Sequence, residues 1–330
     1  MLRYILKRIV MMIPVMLGVS FIVFCMIYFT PGDPAEYMLG MDANAENIAT
    51  LRHELGLDQP FLMQYLNYLR GIVLRGDFGT SYTTQRSVTT EIIERLPATL
   101  TLAFLSVALA TLIGVITGII AATCQYSIFD NIATVFALTG ISMPNFWTGL
   151  MLIIVFSVHF GWFPSSGFSK PIQWILPSIT VGLASTATIM RQTRSSMLEV
   201  IRQDYIMTAR AKGQRESVIV FRHALRNALI PVTTIVGISF GGMLGGAILV
   251  ESIFSIPGIG KLMIDSISAK NYPMVQGGVL FIALGFSVVN LMVDILYAFI
   301  DPRIRTQYSR KKGGLPAKPR PAPAPESEGA

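Results

Sequence analysis

Apolar residues in this chain fall into six blocks, 9–29, 99–122, 132–158, 175–190, 231–250 and 277–300, separated by polar stretches rich in glycine and proline. A helix crossing the hydrocarbon core of a bilayer needs about 20 residues. Five blocks meet that length and 175–190 is the shortest. Only the sixth contains an Asp, Glu, Lys or Arg, namely Asp294. An ionised group at mid-helix costs roughly 3 kcal/mol, so near-absence of charge over such lengths predicts an all-α, polytopic membrane helical bundle with six transmembrane helices.

Composition supports this. The chain is 52% hydrophobic and 14% charged with mean hydropathy +0.57, whereas soluble domains carry about 25% charged residues. The net charge of +7 is read by position. With both termini inside, Lys and Arg number 18 on the inner side and 8 on the outer, and 3 once the long segment 30–98 is set aside. The positive-inside rule then predicts cytoplasmic termini (1–8 and 311–330) and no role for nucleic acid. Arg3, Lys7 and Arg8 ahead of an apolar run resemble a signal peptide. The run is too long and no small-x-small cleavage site follows, so a retained first helix is expected. Cys25 and Cys124 fall at opposite membrane faces, about 30 Å apart, too far for a disulfide. Both suit small apolar filling, and no Cys/His spacing points to a metal.

Segment 30–98 reads as a folded extracytoplasmic lobe. Phe61, Leu62, Tyr65, Leu66, Tyr68 and Leu69 recur near helical spacing after Pro60, and Gly71, Gly76 and Gly79 are expected to break that helix. It is either a lid over the bundle or a docking surface. The Pro/Ala-rich tail 311–330 cannot bury enough apolar surface to order itself and is expected to be disordered.

Few motifs suggest chemistry. Ser255 to Leu262 echoes a phosphate-binding loop but lacks its first glycine and its final Ser/Thr. Gly237, Gly241 and Gly245 form a small-residue stripe that suits close helix packing, within the chain or along a pathway wall. Asp294, one turn from Asn290, is either an interhelical hydrogen-bonding group or a polar spot on a translocation pathway. His159 beside Trp162 reads as an interfacial anchor. Because no nucleophile, base or metal set is visible, an intramembrane enzyme has nothing to work with. An ion-coupled secondary transporter would need buried ionisable residues near the midplane, and Asp294 alone offers one.

The inner segment 191–229 is the most informative. It carries eight basic and three acidic residues. Leu198, Ile201 and Tyr205 are expected on one helical face, followed by small Ala209 and Ala211, Lys212 and a C-capping Gly213. A second helix is expected over 217–229, ending at Pro231, which opens the fifth span. A short helix with small residues, tethered between membrane spans, fits a groove on another protein better than a lipid surface, where bulky apolar residues would serve.

Asp204-Tyr205, Ala209-Arg210-Ala211-Lys212-Gly213 and Arg222-His223-Ala224-Leu225-Arg226-Asn227 resemble the EAA loop of ABC-importer permeases, in the dipeptide/oligopeptide/nickel branch. Further matches run along the chain: Pro31-Gly32-Asp33-Pro34, Gly76-Asp77-Phe78-Gly79, Ser142-Met143-Pro144 and Glu251-Ser252-Ile253-Phe254-Ser255-Ile256-Pro257-Gly258-Ile259-Gly260. Met207 stands where the general pattern opens with an acidic residue, and Gly213 to Pro231 is a long interval. The resemblance implies the type I-like permease fold in a bacterial inner membrane, with a core over 99–310 and an outer loop at 251–276. It also implies a second, homologous permease subunit, two ATPase subunits that hold the ATP and magnesium, an external substrate-binding protein and no cofactor on this chain. On it, Asp204, Tyr205, Ala209, Arg210, Ala211, Lys212 and Gly213 would dock the ATPases, Glu251, Pro257 and Gly258 would face the binding protein, and the cargo would be a short peptide, a nickel complex or glutathione.

Overall fold

A computed structural model describes residues 2–40 and 44–300, and within these the side chains of residues 2–4, 246, 294 and 296–300 lie outside the description. The expectations for the tail and for the Asp294 side chain therefore fall outside it. The described chain is helical: α1 (Leu2–Tyr28), α2 (Pro34–Leu39), α3 (Ala45–Glu54), α4 (Phe61–Arg75), α5 (Val88–Thr123), α6 (Ile128–Ser142), α7 (Asn145–Leu152), α8 (Ile175–Ile201), α9 (Asp204–Ala211), α10 (Glu216–Val218), α11 (Leu225–Gly246), α12 (Ile248–Ile253), α13 (Ile259–Ser268) and α14 (Tyr272–Ile300). Two π-helical stretches, Ile153–His159 and Ile219–Ala224, extend α7 and join α10 to α11. Among the described residues five helices are long and apolar enough to cross a membrane, and six spans result if the bent pair α6/α7 counts as one.

Small residues set the packing of the bundle. A Cβ on Gly114 would press on Ile189 and the Thr186 carbonyl at 2.9 Å, and one on Gly118 would lie 2.6 Å from Thr193. These glycines let α5 and α8 approach to backbone contact, which is how membrane helices associate when hydrophobicity cannot drive them together. α5 has 36 residues, about 54 Å at 1.5 Å each, so it overshoots a hydrocarbon core of about 30 Å. Its first turns stand among α13 and the start of α14, where Val88, Ile92, Ile259, Leu262, Met263 and Met274 form a buried cluster.

The bundle has two distinct ends. At one, α1 meets the lobe through aromatic rings: Phe24 lies 5.4 Å from Phe61 and 5.3 Å from Tyr65 between centroids, and Tyr28 lies 4.9 Å from Phe61. The Tyr65 hydroxyl meets the buried Ser20 hydroxyl at 3.0 Å. α4 runs through Gly71 to Arg75 and is capped by Gly76 at φ +63°, so Gly71 does not break it as expected. At the opposite end sit the α5–α6 turn, α9 and the 219–224 stretch.

Several spans differ from expectation, and α5 begins at Val88 rather than at 99. Block 132–158 is not one helix: α6 and α7 meet at 109°, because Pro144 disfavours helical geometry at Met143, which is extended (φ −82°, ψ 127°). Apolar content alone hid this break. The fourth block, 175–190, continues for three further turns to Ile201 with polar residues that leave the apolar pattern. Pro231 does not open the fifth span. It lies inside α11, as membrane helices tolerate when neighbouring groups satisfy the freed carbonyl.

Candidate functional site

The helix α9 forms where α8 stops. Arg202 closes α8 and Gln203 is extended at ψ 148°, and Asp204 opens the new helix with a negative charge in its first turn, which favours the positive end of the dipole. Gly213 turns the chain away at φ +76°, a conformation that costs glycine nothing. Ile206 is the anchor. It is fully buried among Ile119, Met197, Ile219, Val220 and Ala224, with Ala209 packed alongside, and so holds α9 against the ends of α5, α8 and α11.

Apart from Ile206 and the half-buried Ala209, the side chains of α9 are exposed. Tyr205 and Met207 are 45% and 59% exposed, and Asp204, Arg210, Ala211, Lys212 and Gly213 are exposed as well. Arg210 forks onto Glu216 through Nε at 3.2 Å and Nη2 at 2.5 Å, and Asn227 donates to the Tyr205 hydroxyl at 2.8 Å. These contacts fix the loop without covering its outer face. The expected shared face of Leu198, Ile201 and Tyr205 does not exist, since the break at 202–203 turns Tyr205 outward and Ile206 inward.

An ion pair missed in the sequence lies close by. Asp130 Oδ1 and Oδ2 accept from Arg194 Nε and Nη2, both at 2.7 Å, and Oδ2 also accepts from the Tyr126 backbone N–H at 3.0 Å. The Asp130 side chain is 3% exposed. The partners are 64 residues apart, so no local spacing announces them.

At the lobe end, Glu251, Pro257 and Gly258 come together as expected, but not as a surface. Glu251 has 0% exposure, so it offers nothing to an external protein, and Gly258 is buried with it. The carboxylate instead caps α13: Oε2 accepts from the Lys261 N–H at 3.1 Å and Oε1 from the Thr99 hydroxyl at 2.7 Å, while Thr99 Oγ1 accepts from the Ile259 N–H at 2.9 Å. Burial pushes the carboxyl up from the ordinary Glu range, and the Thr99 and backbone donors pull it partly back. A Cβ on Gly258 would collide with this carboxylate. The loop that resembled a phosphate site thus holds an anion of its own chain. Nearby, a cleft of about 790 Å³ opens between the end of α1, the lobe and α14, with Asp33, Arg52 and Tyr82 on its walls, and Arg52 pairs with Asp33 at 2.6 Å.

The glycine stripe packs within the chain. Gly237 faces Val293, and Gly241 faces Phe286 at 3.3 Å, so α11 lies against α14. Asn290 is half-buried on that helix. His159 lies beside Phe160, in an aromatic group with Phe156 and Trp162. Both cysteines are free, and no grouping of metal-ligating side chains occurs among the described residues.

Sequence comparison gives the class of this membrane bundle. Residues 114–306 match the binding-protein-dependent transport system inner membrane component family, and residues 1–103 match its N-terminal membrane component. The chain belongs to this family and is a multi-pass permease subunit of an ABC importer. Among its relatives, the glutathione transport system permease protein GsiC of Salmonella typhimurium is 45% identical over 305 residues, covering 92% of this chain and 99% of that one. The protein of the same name from Escherichia coli K12 is 44% identical with the same coverage. A solved amino acid ABC transporter bound to histidines aligns over 65% of this chain at 20% identity and TM-score 0.47, too remote to add to the assignment. Permeases of this class are not themselves enzymes. Their importers include a partner permease, ATPase subunits and a substrate-binding protein.

Proposed function

We propose that this chain forms half of a translocation pathway for short peptides, glutathione included, and moves them into the cytoplasm by alternating access driven by separate ATPases. The observation that carries the reading is α9, a helix with one buried anchor and an open polar face at the end of the bundle richest in basic residues. Its position favours cytoplasmic termini and an extracytoplasmic lobe. The similarity to glutathione permeases over nearly their whole length supports a peptide-sized cargo, and the resemblance of the motifs to those of the dipeptide permease subunit DppB favours the same branch. On this reading its partners are a DppC-like permease, DppD- and DppF-like ATPases that bind ATP and magnesium, and a DppA-like binding protein.

Alternating access requires each state to make contacts the other lacks. Closure of the ATPase dimer would press on Ala209, Ala211 and Gly213, whose small size admits close approach. Ile206 would pass that displacement to α5, α8 and α11 through the cluster it enters. The test is substitution of Ala209 or Gly213 by a bulky acidic residue in the assembled importer, with uptake of glutathione and of dialanine measured in proteoliposomes. Loss of ATPase association, or ATP hydrolysis without uptake, is expected while the chain still inserts. Unchanged uptake contradicts the docking role, and failure of the unaltered importer to accumulate either compound contradicts the cargo.

A further inference from the structure

The cluster around Ile206 joins α9 to α5, α8 and α11 but includes no residue of α6. Along its length α6 meets the bundle through small side chains, Ala133 and Ala137 against Ala121, Ala187 and Met190, and Gly140 against Leu183. Such a surface lets the helices approach closely, but among the described residues the hydroxyls of Thr139 and Ser142 bond only to carbonyls of α6 itself, so these contacts fix no direction. At the first turn of α6 the Asp130–Arg194 fork supplies one. Two N–H donors from a planar guanidinium fix distance and rotation together, and the third donor, Tyr126 N–H, locks the α5–α6 turn to the same carboxylate. Arg194 lies on α8 two turns before the helix gives way to α9. At its far end α6 meets the 109° break at Met143-Pro144, beyond which Gly149 of α7 packs on Thr180 and Phe254 at 3.3 Å.

We propose that Asp130 and Arg194 are positioning residues of the transport cycle: the pair carries displacement of the α8–α9 lever to α6, and through α6 to the hinge at residues 143–144. This rests on α9 being the helix the ATPases move. The fork ties α6 to α8 at the end where force enters. The small-residue contacts let the remainder of α6 follow as a rigid body, and the extended Met143 takes up the change in angle. A neutral partner at either position releases α6 from the lever without emptying the bundle core.

The test uses the assembled importer with Cys25 and Cys124 replaced by Ser and spin labels on introduced cysteines. One pair, Met63→Cys with Gln203→Cys at the exposed N-terminal edge of α9, reports α9 against the lobe. The other, Met63→Cys with Phe136→Cys, reports α6. Trapping with Mg-ATP and vanadate is expected to shift both distances in the parent. In Arg194→Gln and Asp130→Asn the α9 shift should persist and the α6 shift fall by at least half, with glutathione or dialanine uptake per ATP reduced about tenfold. Arg194→Lys, which keeps the charge, should restore most of the α6 shift. A parent in which α9 moves and α6 does not, or neutral variants that keep the full α6 shift, overturns the inference. A parent in which α9 itself does not respond to ATP contradicts the proposed function instead.

Discussion

The lobe end of this bundle and the helix α9 at its other end are held by opposite means. At the lobe end, polar groups are sealed inside: Glu251 gathers Thr99 and the start of α13, and Asn271 binds Ser81, Thr83 and the Tyr82 N–H at 2.8, 3.1 and 3.0 Å. Aromatic rings of α1 and α4 interlock beside them. At the opposite end, α9 is attached by one buried isoleucine and by surface pairs. A fully satisfied buried network tolerates little movement, because each group displaced from its partner costs its full desolvation. One apolar anchor with exposed neighbours can tilt at small cost. Rigidity therefore belongs to the lobe end and mobility to α9, the helix that would receive the ATPases.

The largest expected effect breaks the rigid end. Glu251→Ala leaves the Thr99 hydroxyl and the Lys261 N–H without their acceptor, at roughly 1–3 kcal/mol each, and should lower the thermal midpoint of the solubilised importer steeply or prevent its accumulation. Glu251→Gln keeps one acceptor oxygen and should cost less than half as much. Next comes Ile206→Ala, worth about 2–4 kcal/mol for a buried aliphatic truncation. Because α9 opens locally, the loss should appear as faster amide exchange over 204–211 with the lobe unchanged. A drop in the global midpoint equal to that of Glu251→Ala would erase the distinction between the ends. Tyr65→Phe removes the contact with Ser20 and should cost about 1 kcal/mol in the same thermal assay. Arg210→Ala breaks an exposed pair and should change stability by less than about 1 kcal/mol, so any larger fall in ATPase association reads on docking alone.

Much of this was visible in the residues, and the omissions share a cause. Long uncharged blocks marked the spanning helices, and small residues before a capping glycine marked α9. The break at Met143-Pro144 escaped because apolar pattern measures burial in lipid and is blind to a backbone turn within it. Tyr205 shares a helical face with Leu198 and Ile201 only if the helix runs on unbroken, whereas the turn at 202–203 rotates the face and hands the anchor to Ile206. Asp130 and Arg194 meet across 64 residues, and a pairing created by tertiary structure leaves no local trace. Glu251 reads as an outer-loop carboxylate in the chain but is the cap of a helix that folds over it.

The central claim is that α9 faces the cytoplasm and carries the ATPases. The direct measurement is labelling of Met207→Cys, in a background with Cys25 and Cys124 replaced by Ser, by a membrane-impermeant maleimide. The account predicts no labelling in intact cells, rapid labelling in inverted vesicles stripped of ATPase subunits, and protection when those subunits are restored. Labelling in intact cells would contradict it.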